Sequence, residues 1–240
     1  MRPIPEWLTQ WEYAHRGLHS GQVPENSLLG AELAITAGLG IECDIQRSAD
    51  DQPMVFHDWE LVRLTGATGA VADLSCDDIQ RLNYRDSQEH PAVLAQLLEL
   101  VDERVPLLIE IKSRRGYDVA RSCRIVADVV AHYRGHFAVM SFDPRVARWF
   151  RRHASHIPVG LVMREDSEGF TQRPWQRRLA LWVARPDFLA YHIQALPNPW
   201  VARLRAGGMP VLTWTVNSPE TRQSALANAD ALIAEGAGLA

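Results

Sequence analysis

Leu39-Gly-Ile-Glu-Cys-Asp-Ile-Gln46 is the stretch that decides the fold, because it predicts a strand with two chemically different faces. Side chains alternate along a strand, so Glu42 and Asp44 share one face, while the other face carries Ile41, Cys43 and Ile45. In a barrel of parallel strands, the apolar face would meet the surrounding helices and both carboxylates would point inward.

The rest of the chain continues this pattern as a regular alternation of strand and helix signals. Three predicted helices begin with a capping side chain followed by proline, at Asp143, Asn198 and Ser218. A chain of 240 residues, 47% of them hydrophobic, can bury one large core, and no repeat or linker interrupts the pattern. We therefore predict an α/β fold, a (β/α)8 TIM barrel formed by a single domain over residues 1–240, with a short irregular insertion at about 61–90.

Nine strand signals compete for the eight places of such a barrel. The doubtful one is Met54–His57, because the polar turn before it is too short for a crossover helix. We expect this segment to form an antiparallel hairpin with the preceding strand and to distort the barrel near strands 2 and 3. A turn centred near Asp50 would set His57 across from Cys43 or Asp44, and a slip by one residue would turn it to the opposite face.

Charge and cysteine content limit the class of protein. A net charge of −4 shows no basic excess, so we expect no nucleic-acid partner. Cys43, Cys76 and Cys123 form neither a CxxC pair nor a cysteine/histidine cluster, which favours reduced thiols in a cytoplasmic protein. Residues 1–11 lack the apolar core of a signal peptide, and no apolar run approaches membrane-spanning length, so we expect no stable membrane insertion. The oligomeric state stays open.

Three carboxylates are candidates for one metal site. Glu42 and Asp44 come from the first quoted strand, and Glu110 lies in a strand signal where Lys112 shares its face. Inward carboxylates at a barrel mouth would repel one another by roughly 1 to 4 kcal/mol per close pair, a penalty that a divalent cation removes. Oxygen ligands favour a hard cation, Mg²⁺, Ca²⁺ or Mn²⁺, over zinc. The alternative for Glu110 and Lys112 is an internal salt bridge.

Two histidines at strand ends, His15 and His57, are candidates for acid/base catalysis beside these carboxylates. Arg16 and Lys112 could balance the charge of a phosphate while the histidines move protons. For each histidine taken alone, a hydrogen-bonded core position is the competing interpretation.

The polar neighbours of these candidates are expected to support them. We predict a helix over residues 26–37 that is capped by Asn26 or Ser27. Glu25 and Asn26 are expected to support the start of this helix and to orient Arg16, with contact to the substrate as the alternative. Asp58 is interpreted as a partner of the histidine before it or as a turn cap, and His19 as a loop or surface residue.

Six tetrapeptides carry a family resemblance: A-H-R-G at 14–17, P-E-N-S at 24–27, I-E-C-D at 41–44, V-F-H-D at 55–58, I-E-I-K at 109–112 and W-T-V-N at 214–217. Each alone is weak evidence, but six in this order are specific. The chain resembles the glycerophosphodiester phosphodiesterase family of the PLC-like phosphodiesterase TIM-barrel superfamily from about residue 15 to residue 235.

The resemblance implies a site at the C-terminal ends of the strands. It implies one Mg²⁺ or Ca²⁺ on Glu42, Asp44 and Glu110, and an acid/base pair formed by His15 and His57. It also implies that phosphate contacts Arg16 and Lys112 and that Trp214 packs near the glycerol, although a core position is the alternative for this tryptophan.

The implied activity is metal-dependent hydrolysis of a glycerophosphodiester to an alcohol and sn-glycerol 3-phosphate through a cyclic phosphate. A lysophospholipase D or another phosphodiesterase on the same barrel is the first alternative, and a non-catalytic phosphodiester-binding barrel is the second. The segment 61–90 is mixed and polar, so if it flanks the leaving-group pocket it favours a soluble headgroup diester over a lipid.

Two positions depart from the family pattern. Asp50-Asp51-Gln52 replaces the usual Asp-Gly turn, which changes only turn chemistry. Ile233-Ala234-Glu235-Gly236 replaces the closing I-T-D-x-P motif, which either removes a carboxylate from the site or moves it to Glu235.

Overall fold

Eight parallel strands close into a barrel in the computed structural model, which describes residues 4–239. The first strand pairs in parallel with both the second and the last strand, and this double pairing closes the sheet. The predicted TIM barrel is therefore confirmed. The strands are β1 (Tyr13–Ala14), β2 (Gly40–Arg47), β3 (Pro53–Val55), β4 (Leu107–Ile111), β5 (Phe137–Ser141), β6 (Val159–Met163), β7 (Phe188–His192), β8 (Val211–Val216) and β9 (Ala231–Ala234).

Helices follow the strands around the outside of the barrel. They are α1 (Leu28–Thr36), α2 (Val62–Thr65), α3 (Cys76–Gln80), α4 (Leu94–Val101), α5 (Val119–Val130), α6 (Pro144–His153), α7 (Pro174–Ala184), α8 (Pro199–Ala206) and α9 (Pro219–Asn228). The predicted caps of α6, α8 and α9 are confirmed, since the side chains of Asp143, Asn198 and Ser218 each accept a backbone N–H. No helix within residues 4–239 is long and apolar enough to cross a membrane.

The ninth strand, β3, forms the predicted hairpin with β2. Ile45 pairs with Val55 and Arg47 with Pro53, which centres the turn near Asp50 as expected. The predicted end of this strand at His57 was wrong, because β3 ends at Val55. The next residue, Phe56, still donates its N–H to the Asp44 carbonyl at 2.9 Å. His57 therefore follows directly on the residue that is held beside Asp44.

The two faces of β2 divide as the sequence predicts. Ile41, Cys43 and Ile45 are buried in the cluster that joins the barrel wall to the helices. Glu42 and Asp44 are each only 2% exposed and face a cavity inside the barrel. Below that cavity lies a separate inner core, which includes Leu108, Met140, Val162, Leu212 and Ile233.

The segment 61–90 is more regular than expected. It contains α2, α3 and a 3-10 helix at Val71–Asp73, together with a small core of its own that includes Leu61, Ile79 and Tyr84. This core also takes up Met54 and Phe56 from the hairpin, so the insertion braces the segment that leads to His57.

Candidate active site

All eight residues predicted for the site line one cavity of about 470 Å³ at the C-terminal ends of the strands. They are His15, Arg16, Glu42, Asp44, His57, Glu110, Lys112 and Trp214. They come from β1, β2, β4, β8 and the β3 loop, so segments far apart in sequence meet there.

Three buried carboxylates line one side of the cavity. The pairing of β2 with β4 sets Asp44 opposite Glu110, and oxygens of Glu42, Asp44 and Glu110 lie within 4.8 Å of one another. Burial, and then repulsion by the other two carboxylates, raises the pKa of Glu42 well above its ordinary value. A divalent cation would relieve that repulsion, and an all-oxygen set of this kind suits a hard cation.

Two cations balance part of this charge. Lys112 Nζ lies 3.1 Å from Asp44 Oδ1 and 3.1 Å from Glu110 Oε1. Arg16 Nε lies 3.3 Å from Asp44 Oδ2 and makes no hydrogen bond of good geometry among residues 4–239. Although burial alone would raise the pKa of Asp44, nearby Lys112, His57 and Arg16 hold it well below its ordinary value. The pKa values of Glu42 and Asp44 are therefore shifted in opposite directions.

His15 is held between two carboxylates. Its Nδ1 lies 2.6 Å from Glu235 Oε2, and its Nε2 lies 4.0 Å from Glu42 Oε2. His19 Nε2 is 3.4 Å from the same Glu235 oxygen, so His19 belongs to this group and is not a plain surface residue. The hydrogen bond with His15 and the contact with His19 hold the pKa of Glu235 far below its ordinary value. The carboxylate that the closing motif carries at Glu235 therefore lies against His15.

His57 has a carboxylate partner of its own. Its Nδ1 lies 2.7 Å from Asp58 Oδ1, which is one of the two predicted roles of Asp58. Arg63 donates to both oxygens of Asp58 and to both oxygens of Glu25, at 2.5 to 2.9 Å. Burial lowers the pKa of His57; Asp44 and the hydrogen bond with Asp58 oppose this shift, whereas the nearby cations Lys112 and Arg16 add to it.

Polar residues outside the predicted set position these groups. Asn26 donates Nδ2 to Asp44 Oδ2 at 2.9 Å and accepts the Asp44 N–H at 3.1 Å, whereas Ser27 caps α1. Of the two predicted caps, Asn26 and Ser27, the structure therefore shows Ser27, and Glu25 binds Arg16 at 2.9 Å. Asn26 adopts a φ of 56°, a backbone conformation that asparagine tolerates better than most residues.

Sequence reasoning missed Gln46, Arg63 and Arg164. Gln46 donates Nε2 to the carbonyl oxygens of His57 and Asp58 and so fixes the loop that carries both residues. The same alternation that marks Glu42 and Asp44 also marks Gln46, two residues further on, so the signal for it was present. Arg63 and Arg164 follow no pattern that places them at the site.

The wall opposite the carboxylates is aromatic. Trp214 and Phe142 pack edge to face, with their ring centroids 5.3 Å apart. The guanidinium carbon of Arg164 lies 5.7 Å from the centroid of the Trp214 ring. Phe170, at the rim, is 77% exposed. No residue of the segment 61–90 lines the cavity, so the polarity of that segment says little about the substrate.

Comparison with known proteins gives a consistent result. A family model described as the glycerophosphoryl diester phosphodiesterase family matches residues 15–236. The chain is 25% identical over 233 residues to the glycerophosphodiester phosphodiesterase of Caldanaerobacter subterraneus subsp. tengcongensis, covering 92% of each. It is 25% identical over 244 residues to glycerophosphodiester phosphodiesterase 1 of Bos taurus, covering 85% of this chain and 71% of that protein.

Two solved structures share the fold. A phosphodiesterase of Oleispira antarctica, in complex with the product sn-glycerol-3-phosphate, superposes with a TM-score of 0.81 at 24% identity, covering 93% of this chain and 92% of that chain. A glycerophosphodiester phosphodiesterase of Thermotoga maritima superposes with a TM-score of 0.75 at 23% identity, covering 92% of both chains.

Proposed function

The chain belongs to the glycerophosphoryl diester phosphodiesterase family and is a phosphoric diester hydrolase, and we propose that it splits glycerophosphodiesters by metal-dependent, two-histidine acid/base catalysis. The products would be an alcohol and sn-glycerol 3-phosphate. One observation carries this proposal: two histidines, each with a carboxylate at Nδ1, line the same cavity as three clustered carboxylates.

Glu42, Asp44 and Glu110 would hold the cation, for which we propose Mg²⁺ or Ca²⁺, with Mn²⁺ as a further option. Their burial and their all-oxygen donor set suit such a cation. When bound, the cation would polarise a phosphoryl oxygen of the substrate.

Arg16 and Lys112 would bind the phosphate. Both already lie against Asp44, at 3.3 and 3.1 Å, so their charges are held at the edge of the carboxylate cluster. A cation that neutralises the carboxylates would leave both side chains able to turn towards a substrate anion. Trp214 would pack against the glycerol moiety from the aromatic wall.

The histidines would move the protons. A carboxylate that accepts Nδ1–H leaves Nε2 of the neutral ring as the base. In the first step one histidine takes the proton of the glycerol hydroxyl next to the phosphate, and the other protonates the leaving alcohol, which yields a cyclic phosphate. Water then opens that ring with the roles of the histidines reversed. We leave open which histidine is the base in the first step.

Glu235 would position His15 without touching the substrate. Its hydrogen bond to Nδ1 fixes the plane of the ring and directs Nε2 towards Glu42 and the cavity. Asp58 would do the same for His57, with Arg63 holding both Asp58 and Glu25 in place.

Chelation followed by metal restoration tests the proposal. The protein is treated with a chelator and assayed on a panel of glycerophosphodiesters, and Mg²⁺, Ca²⁺ or Mn²⁺ is then added back separately. We expect release of sn-glycerol 3-phosphate to stop in chelator and to return with at least one of these cations. Full activity in chelator would refute the metal dependence.

A second substrate class has support from the cavity wall. Phe142, Val162, Phe170 and Trp214 give the site an apolar side that could accept part of a lipid chain. A lysophospholipase D activity therefore remains the alternative on the same machinery. Turnover of glycerophosphocholine compared with that of lysophosphatidylcholine separates the two, and a strong preference for the lipid would overturn our choice of a soluble diester.

A further inference from the structure

An apolar stripe runs along the solvent side of α7. Trp175, Leu179 and Trp182 follow one another at spacings of four and three residues, which puts them on one face of the helix. They are 59%, 50% and 67% exposed, although α7 also buries Ala180 and Ala184 against the barrel. Large apolar side chains grouped on one exposed face often mark a surface that binds another molecule.

Arginines surround the end of this stripe. A cleft of about 340 Å³ between α6 and α7 is lined by Trp182, Val183, Ala184 and four arginines: Arg148, Arg151, Arg152 and Arg185. No acidic side chain lines it. Arg151 pairs with Asp187 at 3.2 Å, whereas the other three make no ion pair with residues 4–239. The chain as a whole carries a net charge of −4, so the four arginines give this cleft a charge opposite in sign to that of the whole chain.

We propose that the outward face of α7, with the arginines of the α6–α7 cleft, docks on the surface of an anionic lipid bilayer. Tryptophan and leucine side chains can enter the boundary between headgroups and acyl chains, and arginines beside them can bind lipid phosphates. The docking is peripheral, with the helix lying in the plane of the surface. It does not depend on the proposed catalytic function.

Charge complementarity favours an anionic bilayer over a second copy of the chain as the partner of this face. A second copy of the chain that packed through the same face would bring two arginine clefts together, and like charges at an interface are unfavourable. An acidic protein would satisfy the charges. However, tryptophans that stand out from a helix with arginines at their side fit the layered chemistry of a bilayer surface better.

The apolar stripe of α7 begins close in sequence to a residue of the cavity rim. Phe170 lines that cavity, and it precedes Trp175 by five residues on the loop that leads into α7. A protein docked through α7 would therefore hold the rim of its cavity close to the bilayer.

Vesicle sedimentation tests this proposal. Wild-type protein is spun with vesicles of phosphatidylglycerol and phosphatidylcholine in equal parts, and with vesicles of phosphatidylcholine alone. We expect it to bind the anionic vesicles, and to be released when salt rises from about 0.05 M to about 0.5 M. Arg148→Gln with Arg152→Gln should lower the partition coefficient about 25-fold, and Trp175→Ala with Trp182→Ala about tenfold or more.

Two matched controls separate this face from general surface effects. Leu226→Ala removes a 62% exposed leucine from α9, and Arg81→Gln removes an exposed arginine at the C-terminal cap of α3. Both should leave the partition coefficient within about twofold of wild type, and the thermal midpoints should show that every variant is folded.

Three results would overturn the proposal that α7 docks on an anionic bilayer. The proposal is overturned if wild-type protein ignores the anionic vesicles, or if the two control variants lose as much binding as the α7 and cleft variants. It is equally overturned if sedimentation of the protein alone reveals a dimer that the tryptophan variant abolishes, because the face would then serve self-association.

Discussion

At the residue scale, the site consists of side chains that hold one another in pairs. Glu235 holds His15, Asp58 holds His57 and Asn26 holds Asp44. A side chain that is hydrogen-bonded to a fixed partner has less freedom to turn, so the reacting atoms would be placed before substrate arrives. The predictions at this scale concern the two histidines and the carboxylate behind His15.

Replacement of either histidine tests the acid/base assignment. We expect His15→Ala and His57→Ala each to lower turnover of a glycerophosphodiester by about 100- to 10,000-fold, because each would remove one of the two proposed proton-transfer groups. His156→Ala, at an exposed position, is the matched control and should keep wild-type turnover. Near-wild-type kcat in either active-site variant would refute the assignment.

Glu235→Gln tests whether the closing carboxylate positions His15. Loss of a charged hydrogen-bond acceptor is worth about 1.5 to 3 kcal/mol, so we expect kcat to fall roughly 10- to 150-fold. KM should change little, since Glu235 is not placed against the substrate. Glu235→Asp should restore part of the loss, because a carboxylate remains. If Glu235→Gln kept kcat within about twofold of wild type, the residue would have only a structural role.

The sequence predicts a site residue when that residue follows the alternation of side chains along a strand. Glu42, Asp44 and Glu110 alternate with apolar neighbours on strands, so their shared face could be predicted. Glu235 could be singled out from the closing motif, but its partner could not be predicted, because His15 lies 220 residues away and no local pattern specifies such a contact.

At the element scale, the β2–β3 hairpin sets the position of His57. The centre of its turn could be predicted from the polar residues around Asp50, but the end of β3 could not. Val55 donates its N–H to Ala92, which lies outside the hairpin, and the Gln46 side chain then takes the carbonyls of His57 and Asp58. Tertiary bonds of this kind replace the strand pairing that the local sequence favours.

The N-terminus of α6 offers an independent test at the element scale. Asp143 accepts the Arg145 N–H at 2.9 Å and the Ser113 hydroxyl at 2.7 Å, and so ties α6 to the end of β4 beside the cavity. Although burial alone would raise the pKa of Asp143, hydrogen bonds from Arg145 and Ser113 hold it below the ordinary 3.8. We expect Asp143→Ala to lower the free energy of unfolding by about 0.5 to 2 kcal/mol at neutral pH.

The sign of the pH dependence follows from that lowered pKa. A carboxyl whose folded pKa lies below its unfolded pKa stabilises the fold fully above the unfolded value, and this stabilisation is lost as pH falls through the folded value. The difference between wild type and Asp143→Ala should therefore stay constant above about pH 5 and shrink below about pH 4. Urea denaturation across that range measures it, and a difference that grew on acidification would contradict the assignment.

At the scale of the whole molecule, the site exists only when the barrel closes. His15 directly follows β1, and β1 lies between β2, which carries two of the carboxylates, and β9, which precedes Glu235. The closed barrel could be predicted from the order of the motifs. The exposed stripe on α7 could not, because the periodicity of a helix does not tell which of its faces meets the barrel when both are apolar.

Hydrogen bonds from Arg222 connect the two ends of the chain where the barrel closes. Arg222 on α9 donates to both carboxylate oxygens of Glu12, at 2.5 and 2.8 Å, and to the carbonyl of Gly238 at 2.8 Å. A bidentate pair with a further backbone acceptor is stronger than an ordinary surface ion pair.

We expect Arg222→Ala to lower the free energy of unfolding by about 1 to 3 kcal/mol, because it leaves Glu12 and the Gly238 carbonyl without their donor. The control is Arg81→Ala, which breaks a more exposed pair with Asp78 at 3.0 Å and should cost about 1 kcal/mol or less. Because His15 follows β1 and Glu235 follows β9, kcat should fall in Arg222→Ala and not in Arg81→Ala. Equal losses of stability and unchanged kcat in both variants would show that closure of the barrel does not depend on the contacts of Arg222 with Glu12 and Gly238.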